Sequence, residues 1–270
     1  MVRSSEIQLT SVGREENPWI LFLHGFLGAG SDWLGHARRL EADYCSLLVD
    51  LPGHGTAPVP EEGDPERYFT ECVDAIADLV RRRGTPGFLV GYSMGGRIGL
   101  ALSLRHPDLF SAAVIVSSSP GLKTEEERSA RRRSDEGIAR KIERNFGGFI
   151  EAWYQMPLFS TLKAHPLFGE IDSKRREGEP RKLAAALRLL GTGSQPPFWQ
   201  MLPESRVPML FMAGQKDAKY VEIGRQMVTL HSMSSLELFE GCGHTLHIEE
   251  REVFLRKLLD FFNQHQAFRS

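Results

Sequence analysis

Cysteine is scarce in this chain. Cys45, Cys72 and Cys242 are the only three in 270 residues, too few and too scattered for a disulfide framework or a zinc site. Cys45 heads an apolar run and Cys72 falls on an apolar helical face, so both read as small buried hydrophobes. Long apolar runs are missing too. No stretch approaches the roughly 20 apolar residues of a bilayer-spanning helix. The N-terminal MVRSSEIQLTSVGREENP lacks the apolar core of a signal peptide. The expectation is a cytoplasmic protein with no membrane insertion. An excess of one charge is likewise absent: 33 Lys and Arg stand against 35 Asp and Glu, a formal net charge of -2. A nucleic-acid binder shows a basic excess over a whole face, and that class is excluded. No internal repeat or low-complexity tract breaks the text. What is present is the ordinary composition of a globular chain, long enough to bury a large core as one unit.

Two regions read differently. From about 19 to 118, short apolar runs alternate with amphipathic helical segments. Trp19-Ile20-Leu21-Phe22-Leu23 is a buried-strand pattern ending at His24-Gly25, and Cys45-Ser46-Leu47-Leu48-Val49-Asp50 repeats the form before the turn Pro52-Gly53-His54-Gly55. Phe69, Val73, Ile76 and Val80 recur at helical spacing, with Glu71, Asp74 and Asp78 off that stripe. Gly87 to Gly91 and Ala112 to Val116 are further strands, and a helix is expected to start at about Met94. Near the C-terminus the pattern returns: a strand at 208–212, a helix at about 219–230, a strand at 236–239 and a helix at about 249–263. Continuous apolar strands separated by helices are the signature of a parallel sheet covered on both faces. Between about 120 and 205 strand-like runs vanish, and charged helical segments appear at Glu125 to Asn145, Phe146 to Gln155 and Arg181 to Leu190. The expected architecture is α/β, a mostly parallel sheet flanked by helices. Residues 1–119 and 206–270 form its core, and 120–205 are an inserted helical cap.

Gly91-Tyr92-Ser93-Met94-Gly95 fits G-x-S-x-G where the chemistry needs it, after an apolar strand and before a helix. A serine on so cramped a turn needs flanking residues without side chains. Its hydroxyl then projects beside a helix N-terminus whose free N–H groups favour negative charge. A serine hydroxyl is a weak nucleophile and a weak base until a neighbour accepts its proton. Asp217 follows the 208–212 run and His244 follows the 236–239 run, both at carboxyl ends of strands, where open parallel sheets place ligand sites. Their chain order, Ser, Asp, His, is the order of the α/β-hydrolase arrangement. Ser93, Asp217 and His244 are therefore the expected catalytic set.

The remaining histidines fit other roles. His24 and His54 lie beside glycines in early loops and suit turn or pocket shaping. His247 is set too far along the chain for Asp217 to orient it. His36, His106, His165, His231 and His265 read as surface positions. Asp50 follows a strand but precedes the serine, and a structural role suits it. The oxyanion donors are expected to be backbone amides: that of Met94, and one from His24-Gly25-Phe26-Leu27-Gly28, with Phe26 chosen and Leu27 in reserve.

His24-Gly25-Phe26-Leu27-Gly28, Asp50-Leu51-Pro52-Gly53-His54-Gly55 and Gly91-Tyr92-Ser93-Met94-Gly95-Gly96-Arg97 together resemble the α/β-hydrolase superfamily. The insertion narrows the likeness. Ser119-Pro120-Gly121-Leu122, the runs Glu125 to Arg128 and Arg131 to Asp135, Trp153 to Phe159 and Gly191 to Pro197 are similar to the MenH family of menaquinone and phylloquinone biosynthesis. The resemblance covers nearly the whole chain. It implies an α/β-hydrolase fold and a lyase, 2-succinyl-6-hydroxy-2,4-cyclohexadiene-1-carboxylate synthase. Such enzymes eliminate pyruvate from 2-succinyl-5-enolpyruvyl-6-hydroxy-3-cyclohexene-1-carboxylate without metal or organic cofactor. The resemblance also implies that Arg97 and Arg131 bind substrate, that Tyr92 and Trp153 line the pocket, and that Gln195 belongs to the same set.

Elementary chemistry agrees with that implication. The substrate is a small polycarboxylate, so its pocket calls for several cations in a slightly acidic chain. Arg97 lies about one turn into the helix after Ser93, and arginine suits bidentate carboxylate recognition. Arg131-Arg132-Arg133 cannot all face one pocket, because consecutive helical side chains point about 100° apart. In the mechanism the resemblance implies, His244 takes the Ser93 proton, the alkoxide removes a ring proton, and the oxyanion hole holds the charge on the succinyl ketone. A serine hydrolase of esters or C–C bonds would use the same triad, and a binding protein on this scaffold would not require all three of its residues. The cap arginines separate the first rival, and the intact triad the second.

Overall fold

The computed structural model of the chain describes Val2 and residues 7–266. Its seven strands are β1 (Gln8–Val12), β2 (Trp19–Leu23), β3 (Cys45–Asp50), β4 (Gly87–Tyr92), β5 (Phe110–Val116), β6 (Met209–Gly214) and β7 (Ser234–Phe239). They form one sheet in the order β1-β3-β2-β4-β5-β6-β7. β1 runs antiparallel to β3, and the other neighbours are parallel. The helices are α1 (Leu34–Leu40), α2 (Pro65–Arg81), α3 (Met94–Arg105), α4 (Glu125–Arg144), α5 (Phe146–Tyr154), α6 (Ser160–Lys163), α7 (Phe168–Arg176), α8 (Pro180–Leu190), α9 (Ala218–Leu230), α10 (Leu246–Glu249) and α11 (Arg251–His265).

The apolar runs are explained by the two covered faces. Alternate residues of one strand enter different cores, as the period of 2 demands. Leu21, Leu23, Leu47 and Val49 pack with Phe69, Val73 and Ile76 of α2 and Ile98 of α3. Ile20, Phe22, Leu48 and Val90 pack on the opposite face with Ala37 of α1 and Phe254, Leu258 and Phe262 of α11. Each such side chain contributes about 1.5–3 kcal/mol on burial. β1 was not among the expected strands. Its sequence QLTSV is nearly all exposed, because an edge strand needs only backbone pairing with β3.

Helices α4 to α8 stand between β5 and β6 in the chain. α4 opens with a capping box in which Thr124 Oγ1 accepts from Glu127 N–H and Glu127 Oε2 accepts from Thr124 N–H. A third apolar cluster joins Ala139, Ile142, Phe149, Ile150 and Leu183 of these helices to Leu27, which comes from the loop after β2. α7 was not expected either. It has no buried residue, and so shows no apolar stripe in FGEIDSKRR.

Two histidines depart from the surface expectation. His36 and His231 are fully buried. His36 shares the inward face of α1 with Ala37 and Leu40, lies edge-on to Trp33, and its Nε2–H donates to His247 O at 2.9 Å. Burial then pushes its pKa down to about 4. His231 follows the last turn of α9, its N–H bonded to Met227 O. Among the described residues no helix is long and apolar enough to cross a membrane.

Candidate active site

Ser93 stands between β4 and α3 with φ 51° and ψ -109°, a backbone region that costs an L-residue roughly 1–3 kcal/mol. Its surroundings hold it there. Ser93 N–H donates to Val116 O at 2.9 Å, and Ser118 Oγ donates to Ser93 O at 2.9 Å. The glycines permit the close approach: a β-carbon on Gly91 would stand 2.6 Å from Gly95 O, and one on Gly95 would overlap Leu23 O and His24 O.

The turns after β6 and β7 bring in the other two groups. Asp217 N–H is tied to Gly214 O, and the loop carrying His244 is pinned where Gly243 N–H donates to Glu249 Oε2 at 2.9 Å. His244 Nδ1 lies 2.7 Å from Asp217 Oδ2 and His244 Nε2 lies 3.0 Å from Ser93 Oγ. Because a carboxylate only accepts, Nδ1 carries the proton and Nε2 is left to accept from the serine. His244 and Asp217 are both buried, so little water competes for these bonds.

The loop after β2 lies beside them. His24 O accepts from Gly95 N–H at 3.0 Å, which docks the loop on the start of α3. His24 Nε2 accepts from Leu51 N–H at 3.0 Å, so Nδ1 holds the proton and donates to Gly25 O at 2.7 Å. Burial lowers the His24 pKa, and burial with the neighbouring His24 brings His54 down to about 3. Both histidines are neutral struts of the loop. Asp50 braces it as well, accepting from Gly30 N–H at 2.8 Å and Thr56 N–H at 3.0 Å. Among the described residues, neither Phe26 N–H nor Met94 N–H finds a partner, so both are free to meet an anion. Leu27 has φ 67° and directs its side chain into the third apolar cluster.

These groups open into a cavity of about 630 Å³. Arg97, Arg131, Arg175, Lys216 and Lys219 line it, against the carboxylates Asp32 and Asp217. A positive cavity in a slightly acidic chain is suited to an anion. Arg97 is buried and donates to Leu190 O at 2.7 Å and to Gly191 O and Gln195 Oε1, each at 3.3 Å. It thereby caps the C-terminal end of α8. Those acceptors are all neutral, and among the described residues it has no carboxylate partner. Burial and Arg131 lower its pKa to about 10, so it stays charged at neutral pH. Of the three consecutive arginines, Arg131 alone lines the cavity. Its Nε is fixed to Asp135 Oδ1 at 2.7 Å, whereas Arg132 turns to Gly193 O and Glu125 and Arg133 to Ser129.

Tyr92 and Trp153 also line the cavity. The Tyr92 ring lies 5.4 Å from that of His244, and the Trp153 ring meets Phe26 edge-on at 5.6 Å. Gln195 does not reach the wall. It is fully buried, donates to Ser119 O at 3.3 Å and accepts from Arg97, so it holds the arginine from behind. His247 makes no hydrogen bond to Asp217; its ring lies tilted against that of Tyr92, 4.3 Å between centroids. Burial, with His36 and His244 nearby, keeps it neutral, far below its ordinary pKa.

Sequence reasoning missed Arg175, Tyr154, Tyr220, Lys219 and Asp32 on this wall. Arg175 sits in the run Lys174-Arg175-Arg176 at the end of a helix without an apolar stripe, and nothing marks it among its neighbours. Burial disfavours its charge, but the Asp32 carboxylate outweighs this and raises its pKa. Among the described residues, no group of three or more His, Cys, Asp or Glu is placed to hold a metal ion.

The profile of a family described as the Alpha/beta hydrolase family matches residues 20–257. The putative 2-succinyl-6-hydroxy-2,4-cyclohexadiene-1-carboxylate synthase of Bacillus subtilis (strain 168) is 33% identical over 247 residues, covering 90% of this chain and 89% of that protein. "Protein PHYLLO, chloroplastic" of Arabidopsis thaliana is 34% identical over 260 residues, but this chain spans only 15% of its length. The solved structure of MenH from S. aureus is similar with a TM-score of 0.90 at 30% identity, covering 97% of this chain and 99% of that one.

Proposed function

The chain belongs to the alpha/beta hydrolase family and is an enzyme of the MenH type, a 2-succinyl-6-hydroxy-2,4-cyclohexadiene-1-carboxylate synthase of menaquinone or phylloquinone biosynthesis; we propose that Ser93, His244 and Asp217 carry its chemistry as a base. The observation that carries this reading is the hydrogen-bonded set Ser93, His244 and Asp217 beside Arg97, a buried cation that among the described residues donates only to neutral acceptors. An ester hydrolase of neutral substrates has no need of such a cation. A polycarboxylate supplies the missing anion.

His244 Nε2 takes the Ser93 proton, and Asp217 stabilises the imidazolium that results. The alkoxide removes the ring proton made acidic by conjugation with the succinyl ketone. The electron pair moves onto the ketone oxygen, where the amides of Phe26 and Met94 receive it. The pair then returns through the ring, the C–O bond to the enolpyruvyl group breaks, and the departing enolate takes its proton from His244 to become pyruvate. No covalent intermediate is required. Arg97 and Arg131 hold substrate carboxylates, each charged hydrogen bond contributing roughly 1.5–3 kcal/mol, while Tyr92 and Trp153 wall the pocket. Residues 1–119 and 206–270 act as the core and 120–205 as its cap, in a protein we place in the cytoplasm.

Two assays on one preparation test the reading: pyruvate release from freshly made enolpyruvyl substrate, and cleavage of p-nitrophenyl acetate and butyrate. The expected result is fast pyruvate release that disappears in Ser93→Ala and falls sharply in Arg131→Ala. Pyruvate no faster than the spontaneous rate, with brisk ester cleavage, would leave a serine hydrolase in its place. Ser93→Ala that keeps most of the lyase rate while His244→Ala loses it would remove the serine from the role of base.

A further inference from the structure

The loop that supplies the Phe26 amide continues into a single turn of 3-10 helix, Gly30–Trp33, and Asp32 of that turn lines the cavity. Its carboxylate makes three bonds. Oδ1 accepts from Arg175 Nη1 at 2.9 Å, and Oδ2 accepts from Arg175 Nη2 at 2.7 Å and from Ala29 N–H at 3.2 Å. The two side chains are 15% and 12% exposed, so this is a shielded, bidentate pair across 143 residues of chain. The loop is wrapped tightly round it. A β-carbon on Gly28 would stand 2.5 Å from Asp32 Oδ2 and 2.9 Å from Gly25 O.

At the other end of the pair, α7 buries no side chain. Its ion pairs Lys174–Glu170 and Arg176–Asp172 lie within the helix itself and Arg176 also stands 4.0 Å from Glu151 of α5, while its partly buried Phe168 and Ile171 pack against the third apolar cluster, which holds Leu27 of the oxyanion loop as well. Arg175 of α7 reaches across to hydrogen-bond Asp32. The hydrogen bonds from this helix to the oxyanion loop therefore converge on one carboxylate, that of Asp32.

We infer that Asp32 is a positioning residue that holds Arg175 until a ligand anion competes for it and couples its release to the oxyanion loop. A substrate carboxylate arriving at Arg175 competes with Asp32 for the two Nη groups. Whatever it displaces is fastened to Ala29, three residues from Phe26. Anion binding at one end of the cavity is thus sensed where the ketone oxygen must be stabilised. The bland reading is that Asp32 merely caps its helical turn. An asparagine would do that equally well, because its side-chain oxygen also accepts from Ala29 N–H, and the two readings part there.

The inference rests on the lyase reading only for its kinetic arm. Asp32→Asn is expected to bind succinate, titrated calorimetrically as a dicarboxylate probe, about tenfold more tightly than the parent enzyme, because Arg175 loses its internal competitor. At the same time kcat for pyruvate release is expected to fall about tenfold while KM falls or holds. The double variant Asp32→Asn with Arg175→Gln is expected to be no slower than Arg175→Gln alone. Unchanged succinate affinity together with unchanged kcat would overturn the inference, and so would a lowered Tm as the sole effect. If Asp32→Asn does not fold, Asp32→Glu serves instead. It keeps the charge and displaces it by one methylene, so succinate affinity is expected to hold while kcat falls about tenfold; unchanged kcat overturns the inference. Absence of pyruvate release by the parent enzyme refutes the lyase, and the succinate titration is read regardless.

Discussion

Replacing Arg97 by methionine separates anion recognition from the base chemistry. The substitution keeps most of the length and removes the charge. On the binding side, a buried cation that meets a ligand carboxylate is worth about 2–5 kcal/mol when one partner is truncated, which is about 30- to 5000-fold in kcat/KM. On the structural side, the change strands Leu190 O and Gly191 O at the end of α8, where Arg97 donates at 2.7 and 3.3 Å. Leaving such carbonyls without partners costs about 1–3 kcal/mol, and removing an unpaired charge from a buried place offsets part of this. A net loss of about 1 kcal/mol lowers Tm by roughly 2–4 °C in a chain of this size. The catalytic effect therefore exceeds the structural one. Pyruvate release gives kcat/KM, and the rate at which diisopropyl fluorophosphate labels Ser93 reports on the triad, since that reagent carries no charge for Arg97 to hold. The expected pattern is a collapse of kcat/KM with labelling within about threefold of the parent. Equal losses in both would show that the variant has displaced the triad. Retained kcat/KM would refute the assignment of Arg97 to substrate.

Three further outcomes follow from the geometry. Ser93→Gly abolishes pyruvate release and raises stability by about 1 kcal/mol, because the residue at φ 51° loses its β-carbon; a scanning calorimeter reading a lower Tm would contradict the account of strain. Gly95→Ala drives a β-carbon into Leu23 O and His24 O, so it is expected to lower both Tm and the Ser93 labelling rate, and a variant with normal labelling would show that the loop has room. His36 has a folded pKa of about 4 against 6.5 in the unfolded chain, so the unfolded state takes up its proton first as pH falls. The stability that this neutral histidine supports is whole above pH 6.5 and declines as pH drops toward 4, by about 1.4 kcal/mol per pH unit. In urea titrations His36→Gln, which keeps a donor for His247 O, is expected to flatten that decline, and an unchanged slope between pH 6.5 and 4.5 would rule out His36 as its source.

What could be read from the chain alone was decided by where each residue acts. β2 to β6 are buried on both faces, so their runs are continuously apolar and easily seen, and Ser93 and Asp217 lie just past strand ends that those runs locate, whereas His244 follows β7, a partly exposed strand. β1 pairs through its backbone at the sheet's edge and leaves QLTSV without a pattern. His36 was misplaced because α1 is short and carries Arg38 and Arg39 beside its buried face. The insertion was harder in kind. Resemblance grouped Gln195 with Arg97 and Arg131, and it cannot separate a residue that touches a ligand from one that holds an arginine in place; only the bonds from Gln195 to Arg97 and Ser119 do so. Arg175 and Asp32 show the limit most clearly. One sits in a run of three basic residues on a helix with no buried side chain, the other in a turn between a loop and α1, and 143 residues separate them. Neither has a spacing, a stripe or a motif, because their relation exists only once the inserted helices lie over the sheet. Local pattern reveals a group that acts at the end of its own strand, whereas a group that acts across the cavity is revealed only by the packing that brings its partner to it.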